Sequence, residues 1–216
     1  MIDATIDGVL GTQRVIATLT VDESRLAVAA ARALVEGGVL AVEVMLRTPT
    51  GLAAFEAIRS EVPDAIIGAG TVLTPHQLEQ AQQAGALFGV APGFDAATVT
   101  HAAEIGIPFL PGAITPSEIQ TCLAHGIATV KFFPASTSGG TATIKALSAA
   151  YSVAGVQFVA TGGVDDTNGF DYLALPSVRA IGMSWLATSA DVRAGNIAEI
   201  TARATQITER LNRNDT

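Results

Sequence analysis

The chain has 216 residues, of which 49% are hydrophobic and 15% charged, and it carries a formal net charge of -8 at pH 7. This length accommodates one large domain with a substantial core. The acidic balance argues against a nucleic-acid-binding protein, because a surface that binds phosphate backbones needs clustered Lys and Arg. An anionic small molecule remains a possible partner where a local site supplies positive charge.

The cysteine content and the apolar runs bear on the compartment. Cys122 is the single cysteine, so no disulfide can form within the chain, which is consistent with a reducing cytoplasm. The first residues, MIDATIDGVLGTQ, contain no basic segment followed by an apolar run, and no apolar stretch is long enough to span a membrane. We therefore expect a cytoplasmic protein without a secretory signal.

Strand-like apolar runs alternate with helical stretches along the chain. Strands are predicted near residues 14–19, 40–46, 65–70, 87–91, 109–111, 129–133, 157–161 and 179–182. Helices are predicted at residues 23–36, 51–61, 75–84, 96–105, 116–125, 141–149, 167–173 and 197–211. Short connections predict parallel strands, and eight such units favour a closed (β/α)8 barrel, or TIM barrel, formed by a single domain over residues 1–216. Residues 212–216 are expected to be a frayed end.

The second predicted strand, LAVEVMLRTP, carries charged residues at alternate positions. Side chains alternate along a strand, so Glu43, Met45 and Arg47 point one way, and the valines and leucine between them point the other. The apolar set is expected to meet the helices. A carboxylate and a guanidinium then face the barrel interior, where each needs a partner or a function.

The sixth predicted strand lies in ATVKFFPAS and contains Lys131, one of only two lysines in the chain. Burial removes hydration from a charged amine, and the neutral amine is a nucleophile toward carbonyl groups. The same alternation turns Lys131 inward, toward Glu43. Two structural interpretations remain open: a lysine whose stem packs on the core while its head reaches water, and a buried Glu–Lys pair that only satisfies itself.

The last two strands end in VATGGVDDTN and AIGMSWL. Ligand sites of (β/α)8 barrels lie at the carboxyl ends of the strands, often with a phosphate held by the loops after strands seven and eight. Gly162 and Gly163 let backbone N–H groups approach an anion, and Thr161 and Ser184 offer hydroxyls. These loops are therefore candidates for phosphate binding.

Other candidate motifs are weaker. His76, His101 and His125 share no ligand spacing, so no metal site is expected, and no cofactor is indicated. GAGTVL lacks the third glycine of a dinucleotide-binding fingerprint, and STSGGTATIK does not match the P-loop spacing. Both segments are expected to form tight turns.

From Arg14 to Trp185, the chain resembles the 2-keto-3-deoxy-6-phosphogluconate (KDPG) aldolase family, which also includes 4-hydroxy-2-oxoglutarate (KHG) aldolases. The most specific segments are GGVLAVEVMLRTP, IGAGTVLTP, APGF, LPGAITPSE, VKFFPAS, ATGGV and GMSWL. Each segment is short, but their shared order makes an accidental match improbable.

The resemblance implies a class I aldolase, a lyase of carbohydrate metabolism of the Entner-Doudoroff type, usually homotrimeric and independent of metals. It would cleave 2-dehydro-3-deoxy-6-phosphogluconate to pyruvate and D-glyceraldehyde 3-phosphate. By this likeness Lys131 forms the Schiff base and Glu43 moves protons. Arg47 and Thr71 hold the pyruvyl carboxylate, and Phe133 and Pro92 shape the pocket. The residues that match the phosphate-binding segments are Thr161, Gly162, Gly163, Gly182 and Ser184.

The chain departs from the usual family pattern at Met45, Ala91, Ala160 and Met183. Met45 and Ala91 remove hydroxyls from or near the site, and the side chain of Met183 is expected beside the phosphate loop. These departures predict altered acceptor selectivity with intact imine formation. The alternatives are a KHG aldolase, a related pyruvate aldolase with another acceptor, and a barrel that binds ligands without turnover.

Overall fold

The computed structural model describes residues 5–48 and 50–214 as alternating strands and helices. The strands are β1 Val15–Leu19, β2 Ala41–Met45, β3 Ile66–Gly70, β4 Phe88–Val90, β5 Phe109–Leu110, β6 Thr129–Phe132, β7 Gln157–Thr161 and β8 Val178–Met183. The α-helices are α1 Ile6–Leu10, α2 Ser24–Glu36, α3 Gly51–Glu61, α4 Pro75–Gln83, α5 Ala96–Ile105, α6 Pro116–Ala124, α7 Gly140–Tyr151, α8 Gly169–Leu173, α9 Ser189–Ala194 and α10 Ile197–Asn214. Short 3-10 turns cover Ser152–Ala154 and Trp185–Ala187.

The strands form one eight-stranded parallel sheet that curls into a barrel. Its order is β5-β4-β3-β2-β1-β8-β7-β6, and the gap between β5 and β6 is bridged at Lys131. The Lys131 N–H donates to the carbonyl of Pro111 at 2.8 Å, and the Ala113 N–H donates to the carbonyl of Lys131 at 2.9 Å. The predicted TIM barrel is confirmed, and the residue singled out from the sequence lies at its seam.

Side-chain alternation divides the core into two layers. In β2, Val42 and Val44 pack outward against the helices, whereas Ala41 belongs to a second cluster that fills the barrel interior. Phe88, Leu110 and the other members of that interior cluster are apolar. Among the described residues, the buried polar or charged side chains are Thr18, Glu43, Thr98, Thr129, Lys131 and Thr161. Because buried polar groups are uncommon in a core, these residues mark candidate sites.

Helix α1 closes the N-terminal end of the barrel, and the sequence analysis did not predict it. Ile6 and Leu10 insert into the interior cluster. Asp7 of the same helix accepts hydrogen bonds from Arg179 Nε at 3.0 Å and from the Thr129 hydroxyl at 3.1 Å. With five residues, α1 is too short to show a helical period.

The remaining differences from the predicted elements concern boundaries and one short helix. Helix α10 extends to Asn214, so residues 212–214 of the predicted frayed end are helical, and residues 215–216 lie outside the described part. Helix α9 was not predicted, although Thr188 and Asp191 form a cap that the sequence TSAD indicates. Within residues 5–48 and 50–214, no helix is long and apolar enough to cross a membrane.

Candidate active site

Lys131 and Glu43 meet inside the barrel. Lys131 Nζ donates to Glu43 Oε1 at 3.0 Å, and the two side chains are 5% and 2% exposed. The strands that carry them, β6 and β2, lie on opposite sides of the closed sheet. The alternation in both strands predicted this meeting. Because the lysine head is buried, the interpretation in which it reaches bulk water is wrong.

Glycine in β3 makes room for the carboxylate. A Cβ on Gly70 would lie 2.5 Å from Glu43 Oε1 and 2.6 Å from Met45 Sδ, closer than real Cβ contacts. The prediction that GAGTVL is a tight turn is therefore wrong for its glycines, because Gly68 and Gly70 are strand residues. The sequence analysis missed Gly70 as a site residue. The signal was available, since isolated strand glycines indicate close approach of another group.

Arg47 and Thr71 lie together at the carboxyl ends of β2 and β3. Arg47 Nε donates to Thr71 Oγ1 at 3.0 Å, and the Thr71 hydroxyl donates to Met45 Sδ at 3.4 Å. Thr71 has a φ of 61°, a left-handed conformation that is strained for a β-branched residue. The exposed guanidinium of Arg47 and the hydroxyl of Thr71 form a place where an anion can bind at the barrel mouth. Pro49, in the same predicted motif, lies outside the described residues.

Phe133 follows β6 and borders the lysine. Its ring centroid lies 5.3 Å from Lys131 Nζ, within the range of a cation–π contact. Pro92 follows β4, and its carbonyl packs so tightly on Gly112 that no Cβ fits there. Phe133 is thus brought to the amine, and Pro92 lies against Gly112, the bridge partner of Lys131.

The loop after β7 is a glycine turn held by its own carbonyls. The Thr161 and Gly162 carbonyls accept hydrogen bonds from the N–H groups of Ala135 and Ser136, at 2.8 and 3.0 Å. Gly162 and Gly163 have φ values of 96° and 71°, which side-chain-bearing residues rarely adopt. Among the turn and loop hydrogen bonds of the described residues, none is donated by either glycine N–H. These donors can serve an anion.

The end of β8 lies beside this turn. Gly182 pairs with Thr161 in the ladder, and the Thr161 side chain fills the place where a Cβ of Gly182 would stand. Ser184 follows on the exposed side. The structure therefore brings Thr161 and Gly182 together, with Ser184 at the next loop, as the sequence analysis placed them.

An ion pair anchors the segment after Ser184. Arg203 Nη1 donates to Asp191 Oδ2 at 2.8 Å and to the Trp185 carbonyl at 3.0 Å. Hydrogen bonds from Thr188, Asn196 and Arg203 lower the pKa of the Asp191 carboxyl from 3.8 to about 2. This network ties α9 and α10 to the end of β8.

Of the four departures from the family pattern, only Met45 faces the site. Ala91, Ala160 and Met183 are buried in the outer core, between strands and helices. The expectation that the Met183 side chain lies beside the phosphate loop is wrong, because strand alternation turns it toward Gly169 of α8.

The remaining reactive side chains lie elsewhere. Burial raises the pKa of the Cys122 thiol to about 11, so this thiol is poorly nucleophilic at neutral pH. In the part of the chain that the structure describes, no group of three His, Cys, Asp or Glu side chains is arranged to hold a metal ion.

Comparisons with known proteins identify the family. A family model described as KDPG and KHG aldolase matches residues 6–203. The chain is 44% identical to the 2-dehydro-3-deoxy-phosphogluconate aldolase of Treponema pallidum, over 94% of this chain and 95% of the relative. It is 41% identical to the KHG/KDPG aldolase of Escherichia coli K12, over 94% of each chain. The crystal structure of KDPG aldolase from Legionella pneumophila, with pyruvate captured as a covalent carbinolamine intermediate, matches with a TM-score of 0.88 at 35% identity, over 92% of this chain and 96% of that one. The chain therefore belongs to the KDPG and KHG aldolase family.

Proposed function

We propose that the protein is a class I aldolase that cleaves 2-dehydro-3-deoxy-6-phosphogluconate to pyruvate and D-glyceraldehyde 3-phosphate. The observation that carries the proposal is the buried pair of Lys131 and Glu43, with 3.0 Å between Nζ and Oε1, in a member of this family. The name of the Treponema pallidum relative supports this substrate.

Lys131 forms the covalent intermediate. The hydrogen bond to Glu43 gives an ammonium proton a direct path to a carboxylate, and the neutral amine then attacks the C2 carbonyl of the 2-oxo acid. Glu43 returns this proton to the carbinolamine hydroxyl, which leaves as water and gives an iminium together with an ionised Glu43. The iminium accepts electrons far better than the ketone. The carbinolamine of the Legionella pneumophila relative with pyruvate supports the first step.

Glu43 transfers the protons that cleavage of the C3–C4 bond requires. As base, it takes the proton of the C4 hydroxyl, directly or through a water molecule, while the C3–C4 bond breaks and its electron pair passes into the iminium. The aldehyde leaves and an enamine remains on Lys131. Glu43 then returns the proton to C3, and water hydrolyses the iminium to release pyruvate.

The surrounding residues bind the two ends of the substrate. Arg47 and Thr71, joined at 3.0 Å, hold the carboxylate of the 2-oxo acid. Phe133 forms an apolar wall beside the amine, and Pro92 shapes the pocket from the end of β4. The phosphate is bound by the glycine turn and the end of β8, through Thr161, Gly162, Gly163, Gly182 and Ser184.

KHG is the second candidate substrate. The Escherichia coli relative, at 41% identity, is named for both activities. The loops after β7 and β8 supply hydroxyl and N–H groups, and such neutral donors can bind a second carboxylate as well as a phosphate. A related pyruvate aldolase with another acceptor would share Lys131 and Glu43.

Trapping of the intermediate tests the mechanism. The protein is incubated with pyruvate and borohydride, and the modified peptide is located by mass spectrometry. We expect a label on the peptide that contains Lys131. Lys131→Met should abolish the label, and Lys145→Arg, which changes the only other lysine, should keep it. A folded wild-type protein without label would contradict the Schiff-base mechanism and favour a barrel that binds without turnover.

The substrate is tested by measuring pyruvate release. We expect kcat/KM to be higher for the phosphorylated six-carbon substrate than for KHG. Equal values for the two, or a higher value for KHG, would contradict the assigned substrate and leave the lysine chemistry intact.

We further propose that the protein is a cytoplasmic homotrimer. The family resemblance supports the trimer, and the lack of a second cysteine to pair with Cys122 is consistent with a reducing compartment. Sedimentation equilibrium should give a mass of about three chains. A monomer at working concentration, or recovery of the protein outside the cytoplasmic fraction, would contradict the respective part.

A further inference from the structure

Thr18 is a buried polar residue of the barrel interior, separate from the residues proposed to act on the substrate. It lies in β1 and is 6% exposed. Its neighbours Ala17 and Leu19 pack in the outer core, and Ile16 packs in the interior cluster, so alternation turns Thr18 inward with Ile16. In the ladder between β1 and β2, Thr18 is the register partner of Glu43.

The Thr18 hydroxyl has no hydrogen-bond partner among residues 5–48 and 50–214. Among the other buried threonines, the Thr98 hydroxyl donates to Asp95 at 2.7 Å and the Thr129 hydroxyl donates to Asp7 at 3.1 Å. The Thr161 hydroxyl, at the proposed phosphate site, also has no hydrogen-bond partner among the described residues. Buried hydroxyls without partners are uncommon in folded proteins because desolvation is then uncompensated. An unpaired hydroxyl inside the barrel therefore indicates a group that a ligand completes.

The oxygen of Thr18 is not sealed in the core. The fully enclosed side-chain atom that lacks a partner in the described part of the chain is Nε2 of His101, on a different element. On one side of β1 stands Gly182 of β8, the register partner of Ile16, which contributes no side chain to the interior. Thr18 thus lies on the inner face of β1 between Glu43 of β2 and the end of β8, where the Thr161 side chain occupies the place that a Cβ of Gly182 would take.

The chemistry of Thr18 selects what it can bind. A hydroxyl both donates and accepts, so it can pair with a substrate hydroxyl in either direction, whereas the anion sites of this barrel combine hydroxyls with a guanidinium or with backbone N–H groups. Both anionic ends of the proposed substrate have other binding groups, at Arg47 and at the glycine turn. Between these ends, the substrate carries hydroxyls on C4 and C5, and Glu43 acts at C4.

We propose that Thr18 is a specificity-determining residue, whose hydroxyl binds the C4 or C5 hydroxyl of the substrate beside Glu43. This inference rests on the proposed function and extends it to the acceptor half of the substrate. Pyruvate alone has no hydroxyl at these positions, so Thr18 contributes to binding and cleaving the full substrate and does not contribute to reactions of pyruvate alone.

Thr18→Val tests the inference, because valine keeps the branched shape and removes the hydroxyl. We expect kcat/KM for cleavage of the phosphorylated substrate to fall about 10-fold, as for the loss of a buried hydrogen bond. Exchange of the methyl protons of pyruvate in D2O, which needs Lys131 and Glu43 but no acceptor, should keep its wild-type rate. Thr18→Ser should restore most of the cleavage rate.

Cleavage of KHG by the same variants shows which substrate hydroxyl Thr18 binds, because KHG has the C4 hydroxyl and lacks the C5 hydroxyl. A loss on both substrates assigns the contact to C4, and a loss on the phosphorylated substrate alone assigns it to C5. Thr129→Val is the matched control. It removes a hydroxyl from the same barrel interior at the end closed by α1, and both cleavage and exchange should stay unchanged.

Two outcomes would overturn the inference. Wild-type kcat/KM in Thr18→Val would show that the substrate does not use the hydroxyl. Equal losses of cleavage and pyruvate exchange would show that Thr18 acts only through Glu43. If valine prevents folding, as judged by circular dichroism, Thr18→Ala provides the hydroxyl-free variant. A wild-type protein that exchanges pyruvate protons but cleaves neither substrate would instead contradict the assigned substrates, before any variant is compared.

Discussion

At the N-terminal end of the barrel, the Thr129 hydroxyl donates a hydrogen bond to Asp7, which also accepts a hydrogen bond from Arg179. Two residues further along the same face of β6, the side-chain amine of Lys131 has Glu43 as its single hydrogen-bond partner among the described residues. Arg179 makes three hydrogen bonds, to Asp7 and to the carbonyls of Gln13 and Gly11. One strand face thus carries a saturated polar network at one end of the barrel and an under-coordinated one at the other.

The comparison separates stability from function. At the closed end, the polar groups form hydrogen bonds with one another, and this network fixes helix α1 against the barrel. At the open end, Thr71 has a strained backbone, the Thr18 hydroxyl has no partner in the described part of the chain, and Gly70 leaves room for Glu43. Such costs persist where a substrate compensates them. Changes at the open end should therefore alter turnover, and changes at the closed end should alter the free energy of unfolding.

The largest effect is expected for Glu43→Gln. The amide keeps the shape of the carboxylate but cannot accept the C4 proton, so kcat for cleavage should fall on the order of 1000-fold. The melting temperature should change much less, and pyruvate with borohydride should still label Lys131, although more slowly. A variant that cleaves at the wild-type rate would show that another base acts.

Gly70→Ala should have the next largest effect, because the added Cβ would lie 2.5 Å from Glu43 Oε1 and force the carboxylate to move. Displacement of a catalytic group by about 1 Å costs on the order of 100-fold in rate. Gly93→Ala is the matched control, since nothing lies within 4 Å of its added Cβ. Equal kcat/KM values for the two variants would show that the space at Gly70 is not needed.

Arg179→Met tests the closed end. Removing the guanidinium leaves the carbonyls of Gly11 and Gln13 without their donor, and we expect the free energy of unfolding to fall by about 2 kcal/mol. Turnover should stay near the wild-type value at temperatures where the variant is folded. Arg32→Met breaks an exposed pair with Glu61 and should cost less than about 1 kcal/mol in urea titration. If Arg179→Met lost turnover without losing stability, the separation of the two ends would be wrong.

Much of the open end could be predicted from the sequence, because it depends on local periodicity. Alternation along β2 and β6 was enough to turn Glu43 and Lys131 inward, and the barrel then brought them together. The sequence did not predict Gly70 and Thr18 as site residues, because their importance depends on which atoms face them from neighbouring strands. The sequence GAGTVL is the same whether its glycines form a turn or make room in a strand for a carboxylate.

The closed end was harder to predict for a different reason. Helix α1 has five residues, and its position is fixed by Asp7 contacting Arg179, which lies 172 residues away in sequence. Met183 was also difficult to place from the sequence. Its position next to Ser184 suggested that it lies beside the phosphate loop, but the alternation of side chains along β8 turns it toward the outer core. Contacts between distant segments carry no periodic signal within one sequence.

The smallest effect is expected for the ion pair that supports the open end from outside. Hydrogen bonds from Thr188, Asn196 and Arg203 hold the pKa of Asp191 at about 2, below its ordinary 3.8. Because the folded-state pKa is the lower one, the carboxylate stabilises the fold fully above about pH 4, and this stabilisation is lost as the pH falls toward 2. Asp191→Asn should therefore lower the free energy of unfolding by about 1 kcal/mol at pH 7, and the difference from wild type should shrink below pH 4. A difference that does not change between pH 7 and pH 3 in urea titrations would show that the ionised carboxylate contributes nothing beyond the hydrogen bonds an amide can also accept.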